Sequence, residues 1–368
     1  MKLIKPTLLV DPKKSKYNLH LILQKARTHQ LAFRPHFKTH QSRKISDWFW
    51  FEGVRKITVS SLDMAEYFAS YGWQDILIAF PVNINEIEKI NKLAGQIKLS
   101  VLVENRESVA FLNRHLEHEI DVLIKIDSGH RRTGIHWEAT NEIVELAKEI
   151  LQASMMQFKG ILTHAGHTYN ANSTTEIVHI HNQTKKHLIL LKKELSKLAN
   201  HLIISIGDTP GISLAKDFEG IDEIRPGNFI FYDLQQYKLG VCHLKDIAVC
   251  LACPVVSKHE ARNEVVVYGG AVHFSKDIIN EGGQPAYGYG VSLNNKSWLY
   301  ESNPMVMRRL SQEHGILSVT PAQLNNLQIG DFVGILPVHS CLTANLMGSY
   351  MDTEGNLYDH MTKNTYCL

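Results

Sequence analysis

The sequence predicts an α/β fold in which a (β/α)8 TIM barrel precedes a second, mostly β domain. With 368 residues of ordinary globular composition, 44% hydrophobic and 21% charged, the chain is long enough for about two domains. Short apolar, β-branched runs alternate with amphipathic segments up to about residue 232, which is the pattern of a parallel barrel covered by helices. After about residue 237, further strand-like runs follow one another without long helices between them.

The barrel is predicted from eight short, apolar runs of the kind that form buried parallel strands. These runs lie at residues 31–36, 54–60, 75–80, 98–103, 121–126, 158–164, 202–206 and 221–225. Helix-like segments lie between them at residues 61–71, 85–93, 106–115, 139–153 and 174–198. In such a barrel the functional groups are expected at the C-terminal ends of the strands.

The second domain is predicted from strand-like runs at residues 248–256, 264–270, 317–320 and 330–336. An apolar run at residues 7–11 could pair with either domain, and we assign it to the β domain. The predicted division is an N-terminal segment 1–20, a barrel 21–237 and a C-terminal β domain 238–368. Residues 280–293 are rich in glycine and tyrosine and are predicted to form a long loop.

Composition and charge narrow the classes of function. The 39 Lys and Arg against 37 Asp and Glu leave a net charge of +2, which favours a small-molecule partner over nucleic acid or a membrane surface. The first ten residues do not resemble a secretory signal, and the longest apolar run covers about half of the ~20 residues that a membrane helix needs. The five cysteines therefore predict free thiols in a soluble, cytoplasmic protein. The 20 histidines are the unusual feature.

The densest motif is RPHFKTH at residues 34–40, directly after the first barrel strand. Lys38 would leave a buried strand at the barrel mouth, where a desolvated amine is suited to Schiff-base formation. The alternative is an ordinary surface lysine in a loop.

Two further strand ends carry polar side chains. KIDSGHRRTG at residues 125–134 places two arginines after the fifth strand, and arginine forks suit anionic oxygens, although solvated loop charges are the alternative. THAGHTY at residues 163–169 contains His164 and His167, which should point in different directions at a strand end. Stacking or hydrogen bonding is therefore predicted for them rather than metal binding.

Small residues follow the seventh and eighth strands, in IGDTPG at residues 206–211 and RPGN at residues 225–228. Free backbone amides after the last two strands of a barrel are a common phosphate site. Either loop alone could be a plain turn, but together they predict binding of a phosphate group.

A possible metal pair occurs in PVHSC at residues 337–341. His339 and Cys341 would lie on the same side of an extended segment. Their nitrogen and sulfur suit tetrahedral Zn²⁺ with two positions left for water or substrate. A buried Cys beside a surface His is the alternative. Cys250 and Cys253 form a single CxxC in an apolar run and are predicted to be core residues.

Together these motifs resemble those of the fold-type III pyridoxal-phosphate enzymes, in which an alanine-racemase-like barrel is joined to a β domain. Within that group the chain is similar to the D-serine dehydratase and D-threonine aldolase family. The resemblance covers almost the whole chain. It extends through PHFKTH, SSLDMAE (60–66), DSGHRRTG, THAGHTY, GDTPG, EIRPGN (223–228), LSQEHG (310–315) and PVHSC.

The resemblance implies roles for residues around the cofactor ring. Lys38 matches the lysine that binds pyridoxal 5'-phosphate as a Schiff base, and its freed amine is the expected base for the Cα proton. Arg132 matches an arginine near the phenolic oxygen, His164 a histidine beside the pyridine ring, and Tyr169 a tyrosine that contacts the cofactor. Arg225 stands at the position that faces the pyridine nitrogen in alanine racemases.

The resemblance also implies phosphate and metal ligands. Thr209, Gly227 and Asn228 match the phosphate cradle. His339 and Cys341 match the zinc pair of the dehydratases, and zinc or another divalent metal is expected there. The predicted catalytic residues are thus Lys38, His339 and Cys341.

The activity implied is that of a lyase acting on D-3-hydroxy amino acids. Cys341 favours β-elimination to a keto acid and ammonia, because the aldolase branch typically has Asp at that position. Leu162 stands where dehydratase relatives can carry tyrosine, which leaves strict D-serine specificity open. The alternatives are retro-aldol cleavage to glycine and an aldehyde, a pyridoxal-phosphate-binding protein without turnover, and a barrel metallohydrolase. The resemblance further implies a homodimer in which the β domain of one subunit completes the site of the other.

Overall fold

The computed structural model describes residues 3–294, 297–300 and 302–361. The chain forms two compact units. The barrel unit comprises Leu21–Lys38 and Asp47–Gly227, and the β unit comprises Met1–His20, Thr39–Ser46 and Asn228–Leu368. Over the described part of the chain, no helix has the length and apolarity that crossing a membrane requires.

The barrel unit confirms the predicted fold class. Strand β1 (Thr7–Val10) and helix α1 (Pro12–Thr28) precede it in the chain. Its parallel strands are β2 (Ala32–Phe33), β3 (Lys56–Val59), β4 (Asp75–Pro81), β5 (Lys98–Val103), β6 (Ile120–Asp127), β7 (Ile135–His136), β8 (Met156–Thr163), β9 (Ile203–Ile206) and β10 (Glu223–Ile224). All except β7 form a nearly closed ring in the order β2-β10-β9-β8-β6-β5-β4-β3, and a bridge between His36 and Thr58 links its two ends.

Helices alternate with these strands, as a barrel requires. They are α2 (Arg43–Phe51), α3 (Leu62–Ala69), α4 (Ile87–Ala94), α5 (Arg106–His115), α6 (Thr140–Gln152), α7 (Thr174–Leu195) and α8 (Thr209–Leu214). Three of these helices, α3, α5 and α7, begin at an N-cap residue whose side chain accepts a backbone N–H of the first turn: Ser61, Asn105 and Ser173. Leu162 belongs to a buried cluster with Leu77, Leu102 and Leu123, so this position is part of the apolar core.

The β unit is built on one large sheet. Its strands are β1, β11 (Val249–His259), β12 (Glu264–Tyr268), β13 (Ile279–Glu281), β14 (Gln284–Ala286), β15 (Gly288–Leu293), β16 (Trp298–Leu299), β17 (Met305–Leu310), β18 (His314–Ser318), β19 (Phe332–Pro337), β20 (Tyr350–Asp352) and β21 (Leu357–Tyr358). The main sheet has the order β12-β18-β17-β15-β19-β11-β1-β20-β21, with β1 antiparallel to β11 and parallel to β20. Its helices are α9 (Leu234–Lys238), α10 (Ala271–Phe274), α11 (Pro321–Asn326) and α12 (Ser340–Met347).

The prediction of a long loop at residues 280–293 is wrong, because most of this stretch forms β13, β14 and β15. Its glycines mark close packing between strands. A Cβ on Gly288 would lie 2.6 Å from Ile335 Cγ2, and one on Gly290 would lie 2.8 Å from the Cβ of Met305. Glycine is required at these positions because neighbouring side chains fill the space that a larger residue would need.

Candidate active site

The residues before Lys38 are held by the barrel on two sides. The N–H of His36 donates to Pro226 O over 2.8 Å, and that of Phe37 donates to Thr58 O over 2.9 Å. The Phe37 ring is fully buried and packs against the Phe49 ring, with a centroid distance of 4.9 Å and an angle of 55° between the ring planes. Lys38 itself is exposed after the C-terminal end of β2, so a fixed backbone presents its amine at the functional face of the barrel.

Two imidazoles beside Lys38 are kept neutral. Desolvation, followed by the charge of Lys38, lowers the pKa of both His36 and His164 well below the usual range. The Nδ1 atom of His164 lies 2.5 Å from Gly207 O. Since a carbonyl oxygen can only accept, Nδ1 carries the proton, and Nε2 is left as an acceptor.

Arg225 contributes a buried positive charge to this face. Its Nη1 donates to Ser205 Oγ over 2.5 Å and its Nη2 to Thr163 O over 2.8 Å. Burial lowers the pKa of Arg225 to about 10, against the opposing charge of Glu223, so the guanidinium remains charged at neutral pH. Its Nε is buried and has no hydrogen-bond partner among the described residues, which leaves one donor for a bound group.

The loop after β6 carries Arg132 and is shaped by Asp127. Asp127 Oδ1 accepts the N–H of Gly129 over 2.9 Å and that of Arg131 over 3.0 Å. Gly134 has φ +106°, and a Cβ there would lie 2.7 Å from Asp127 N, so the loop needs glycine at this point. Arg132 is exposed, and its charge contributes to lowering the pKa of His36 and His164.

The predicted phosphate loop begins α8. Asp208 accepts the N–H of Gly211 over 2.6 Å and the hydroxyl of Thr168 over 3.1 Å, and burial raises the pKa of Asp208 to about 6. Thr209 N donates to the Tyr169 hydroxyl over 3.4 Å. The Thr209 hydroxyl is buried and has no hydrogen-bond partner in the described part of the chain, as expected where a ligand oxygen completes the site.

These barrel residues fit pyridoxal 5'-phosphate. An exposed lysine amine, two neutral imidazoles, two arginines and an unsatisfied threonine hydroxyl lie after the C-terminal ends of neighbouring strands, and the cationic groups suit the phosphate and a substrate carboxylate. Gly227 is the last residue of the barrel unit. The roles of Lys38, Arg132, His164, Tyr169, Thr209, Arg225 and Gly227 as ligands stay predictions.

Asn228 belongs to the β unit, where its side chain lies with the predicted metal pair. Its Nδ2 lies 2.6 Å from Asp233 Oδ2, 3.2 Å from Ser340 Oγ and 3.7 Å from Cys341 Sγ. Asp233 also accepts the N–H of Ser340 over 3.0 Å at the start of α12. The Asn228 amide therefore supports this helix start, and its role toward a phosphate stays a prediction.

The prediction that His339 and Cys341 share an extended segment is wrong. Strand β19 ends at Pro337, His339 is the extended N-cap of α12, and Cys341 lies in the first helical turn. The imidazole and thiol are nevertheless hydrogen-bonded to each other, and Thr39 Oγ1 lies 3.3 Å from Cys341 Sγ.

His339 has an electrostatic environment unlike that of the barrel histidines. Its Nδ1 lies 3.3 Å from Asp277 Oδ2. Burial alone would lower its pKa, but the hydrogen bonds to Asp277 and Cys341 together with the charges of Cys341 and Asp233 raise the pKa of His339 to about 11. The hydrogen bond from His339 lowers the pKa of Asp277.

This donor set fits a zinc ion. An imidazole nitrogen and a thiol sulfur that already contact each other can share one cation, with the remaining tetrahedral positions open to water or substrate. Within residues 3–294, 297–300 and 302–361, no three His, Cys, Asp or Glu side chains are arranged to hold a metal. Cys250 and Cys253 are fully buried in β11, which confirms that they are core residues.

Sequence reasoning missed several groups. Asp277 is 62 positions before His339 in the sequence, and no spacing pattern links the two. Lys125 lies in a strand that is buried throughout, and burial followed by the charges of Arg225 and Arg132 lowers its pKa to about 7. Its position between apolar residues of a strand was the signal that could have identified it as an unusual lysine.

A parallel barrel with a lysine at its mouth, in a chain that continues into an antiparallel sheet, defines the alanine-racemase-like class. The model for the alanine racemase N-terminal domain matches residues 10–235, and that for the serine dehydratase domain matches residues 248–352. The chain is 31% identical to a D-serine dehydratase of Dictyostelium discoideum over 344 residues, covering 86% of this chain and 85% of that protein. The chain belongs to the D-serine dehydratase family of fold-type III pyridoxal-phosphate enzymes.

Two more distant relatives widen the comparison. The chain is 24% identical to the D-threo-3-hydroxyaspartate dehydratase of Delftia sp., over 94% of this chain and 93% of that one. The solved structure of this dehydratase has a TM-score of 0.89 at 22% identity and covers 98% of each chain, which confirms the fold. A D-threonine aldolase of Arthrobacter is 24% identical over 93% of this chain and 86% of its own.

Proposed function

We propose that the protein is a pyridoxal 5'-phosphate- and zinc-dependent lyase that eliminates water from D-3-hydroxy amino acids and yields a keto acid and ammonia. The observation that carries the proposal is the presence of two separate, complementary groups of residues in one chain. The barrel unit has an exposed Lys38 among cations and neutral imidazoles, and the β unit has the hydrogen-bonded pair His339 and Cys341. The relatives include a D-serine dehydratase, a D-threo-3-hydroxyaspartate dehydratase and a D-threonine aldolase.

Lys38 is proposed to serve two roles. It holds the cofactor when no substrate is present, and its released amine removes the Cα proton when substrate has taken its place. The cofactor supplies the electron sink for the carbanion at Cα. Because the backbone of His36 and Phe37 is fixed by the barrel, the amine can swing between these two positions without moving its own support.

The neighbouring barrel residues are proposed to control charge. Arg132 and Arg225 balance the negative charge of cofactor and substrate. The Thr209 hydroxyl is one of the groups that contact the phosphate. His164 remains neutral and orients its Nε2 through the bond to Gly207. Because its pKa is lowered, the His164 ring can contact the cofactor without competing with Lys38 for the Cα proton.

His339 and Cys341 are proposed to hold the metal. The metal supplies Lewis-acid assistance to the departure of hydroxide, which is a poor leaving group, and such assistance is worth several kcal/mol. Cysteine at position 341 supports elimination over retro-aldol cleavage.

We also propose that the protein is cytoplasmic and forms a homodimer. Light scattering on the purified protein tests the dimer, and a monomeric mass would contradict it.

Product analysis is the most informative test of the reaction. D-serine, D-threonine and D-threo-3-hydroxyaspartate are incubated with the purified, cofactor-loaded protein, with the L-enantiomers as controls. We expect ammonia and a keto acid from at least one D-substrate and nothing from the L-enantiomers. Glycine and an aldehyde would instead place the protein in the aldolase branch, and the absence of any product would indicate a cofactor-binding protein without turnover.

Borohydride reduction followed by peptide mapping tests the cofactor site. Reduction fixes a pyridoxyl group on the lysine that carries it, and we expect the modified peptide to contain Lys38. A pyridoxyl group on another lysine, or on none, would remove the basis of the proposal.

A further inference from the structure

Asp277 is held in place behind the predicted metal pair. It follows α10 in the β unit, and its Oδ2 lies 3.3 Å from His339 Nδ1. Ser275 fixes this carboxylate, because its hydroxyl donates to Asp277 Oδ2 over 3.0 Å and accepts the N–H of Asp277 over 3.2 Å. Ser275 has φ +73°, which turns the chain after α10 and brings Asp277 back toward His339.

A second contact joins the same loop to the helix that starts at His339. The Thr343 hydroxyl lies 3.4 Å from Phe274 O at the end of α10 and 3.1 Å from His339 O. Thr343 is fully buried. The segment carrying Asp277 and the backbone of His339 are therefore tied to one buried side chain, so the carboxylate and the imidazole are fixed relative to each other.

The contact selects a nitrogen of the imidazole. A carboxylate accepts the Nδ1–H of His339, so Nε2 is the nitrogen that would bind a metal, after giving up its own proton. Metal-binding histidines commonly donate their other N–H to a carboxylate, which fixes the ring and increases the basicity of the ligating nitrogen. Asp277 is about 41% exposed at its side chain, so a direct role in the hydrophobic core does not account for it.

We infer that Asp277 is a positioning residue for the metal: it orients His339 so that Nε2 and the Cys341 thiolate face the same zinc ion. The inference rests on the proposed function, because it requires that His339 and Cys341 hold the metal. It extends that function to a residue distant in sequence that acts through His339.

Zinc affinity, measured apart from turnover, tests the inference. The cofactor-loaded protein is stripped of metal and titrated with zinc against a chromophoric chelator. We expect Asp277→Ala to weaken zinc binding about 10- to 100-fold. Asp277→Asn should restore most of the affinity, because its amide oxygen still accepts the Nδ1–H. The pyridoxal absorption band should be unchanged in both variants.

Glu313→Ala is the matched control, since it removes a carboxylate that lies 3.9 Å from the Nε2 of another histidine of the same unit, His273. Its zinc affinity should equal that of the wild type. Ser275→Ala removes the hydroxyl that holds the Asp277 carboxylate but keeps Asp277 itself, and it should weaken zinc binding a few-fold. This variant tests the inference if Asp277→Ala does not fold.

Three results would overturn the inference, each in a distinguishable way. Wild-type affinity in Asp277→Ala would show that the carboxylate does not position His339. Equal losses above 100-fold in Asp277→Ala and Asp277→Asn would make Asp277 a direct ligand instead. If the wild-type protein bound no zinc, the metal part of the proposed function would fall, and the inference would fall with it.

Discussion

His36 and His164 of the barrel unit differ in charge from His339 of the β unit, although desolvation is the largest influence on each. In the barrel unit, His36 and His164 lie among Lys38, Arg132 and Arg225, and their pKa values fall well below the usual range. In the β unit, Asp277 and Cys341 overcome the same desolvation and raise the pKa of His339 to about 11. The sign of the neighbouring charge therefore decides which form of a buried histidine is present.

The comparison explains why the number of histidines was a poor guide. The chain has 20 histidines, but their chemistry is set by side chains from distant parts of the sequence. A neutral ring suits a cofactor site that is already cationic. A ring paired with a carboxylate and a thiol suits a site that takes up a cation and gives up a proton in exchange.

The largest expected effect separates the two units. Lys38→Ala removes the cofactor attachment and the proposed base, so turnover should fall by at least about 10⁴-fold. Zinc affinity at the β unit should stay at the wild-type level, because Asp277 and Cys341, which contact His339, belong to the same unit as His339. The measurement is a rate assay together with a zinc titration. Loss of zinc binding in this variant would break the comparison, since it would show that the two sets of residues are not independent.

The reciprocal variant tests the β unit. Cys341→Ala, or treatment of the wild type with a chelator, should reduce turnover by about 10²- to 10³-fold, because several kcal/mol of Lewis-acid assistance are lost. The pyridoxal absorption band should remain. Restoration by added zinc is expected after chelation but not in the variant. Full activity of Cys341→Ala would remove the zinc proposal.

A smaller effect is expected on the pH dependence of stability, because the barrel unit also contains a buried carboxylate, Asp208. Burial raises the pKa of Asp208 to about 6, so the folded protein binds a proton more tightly than the unfolded chain, in which the pKa is about 3.9. Stability is therefore lost as the pH rises from about 4 through about 6, by up to about 3 kcal/mol. Asp208→Asn keeps an oxygen for Gly211 and Thr168 and removes this loss.

Urea unfolding of cofactor-free protein measures the effect. Asp208→Asn should match the wild type near pH 4 and exceed its unfolding free energy near pH 7. If the two proteins differed by the same amount at both pH values, the carboxylate would not titrate in this range. That result would show that burial does not shift the pKa of Asp208 in the way that it shifts the pKa values of the buried histidines.

Local patterns predicted the regular parts of the fold well. Strand β5 and helix α5 begin and end where the hydrophobic periodicity places them. The predictions failed where packing between distant segments decides the outcome. The glycines of β15 indicate a loop by composition, yet they lie in a strand because Ile335 and Met305 occupy the adjacent space. The division at residues 20 and 237 stays a prediction.

The candidate site was predictable to the extent that its residues lie next to recognisable strand ends. Lys38, Arg132 and Thr209 belong to such loops. The carboxylate partner of His339 could not be found this way, because Asp277 reaches it through the turn after α10, and no short motif records that contact. The start of α12 at Ser340 was also missed, since Asp233, which caps it, lies more than 100 positions away.

The central place of β1 in the sheet affects how this chain can be divided. Its backbone pairs with β11 on one side and β20 on the other, so residues near the N-terminus complete a sheet encoded mostly by the last third of the chain. A fragment starting at residue 238 would expose two unpaired strand edges and is expected to aggregate. Joining residues 1–20 to such a fragment through a flexible linker would supply the missing strand. Dividing the chain at any single position would leave the two units incomplete, because the β unit is formed by separate segments of the sequence.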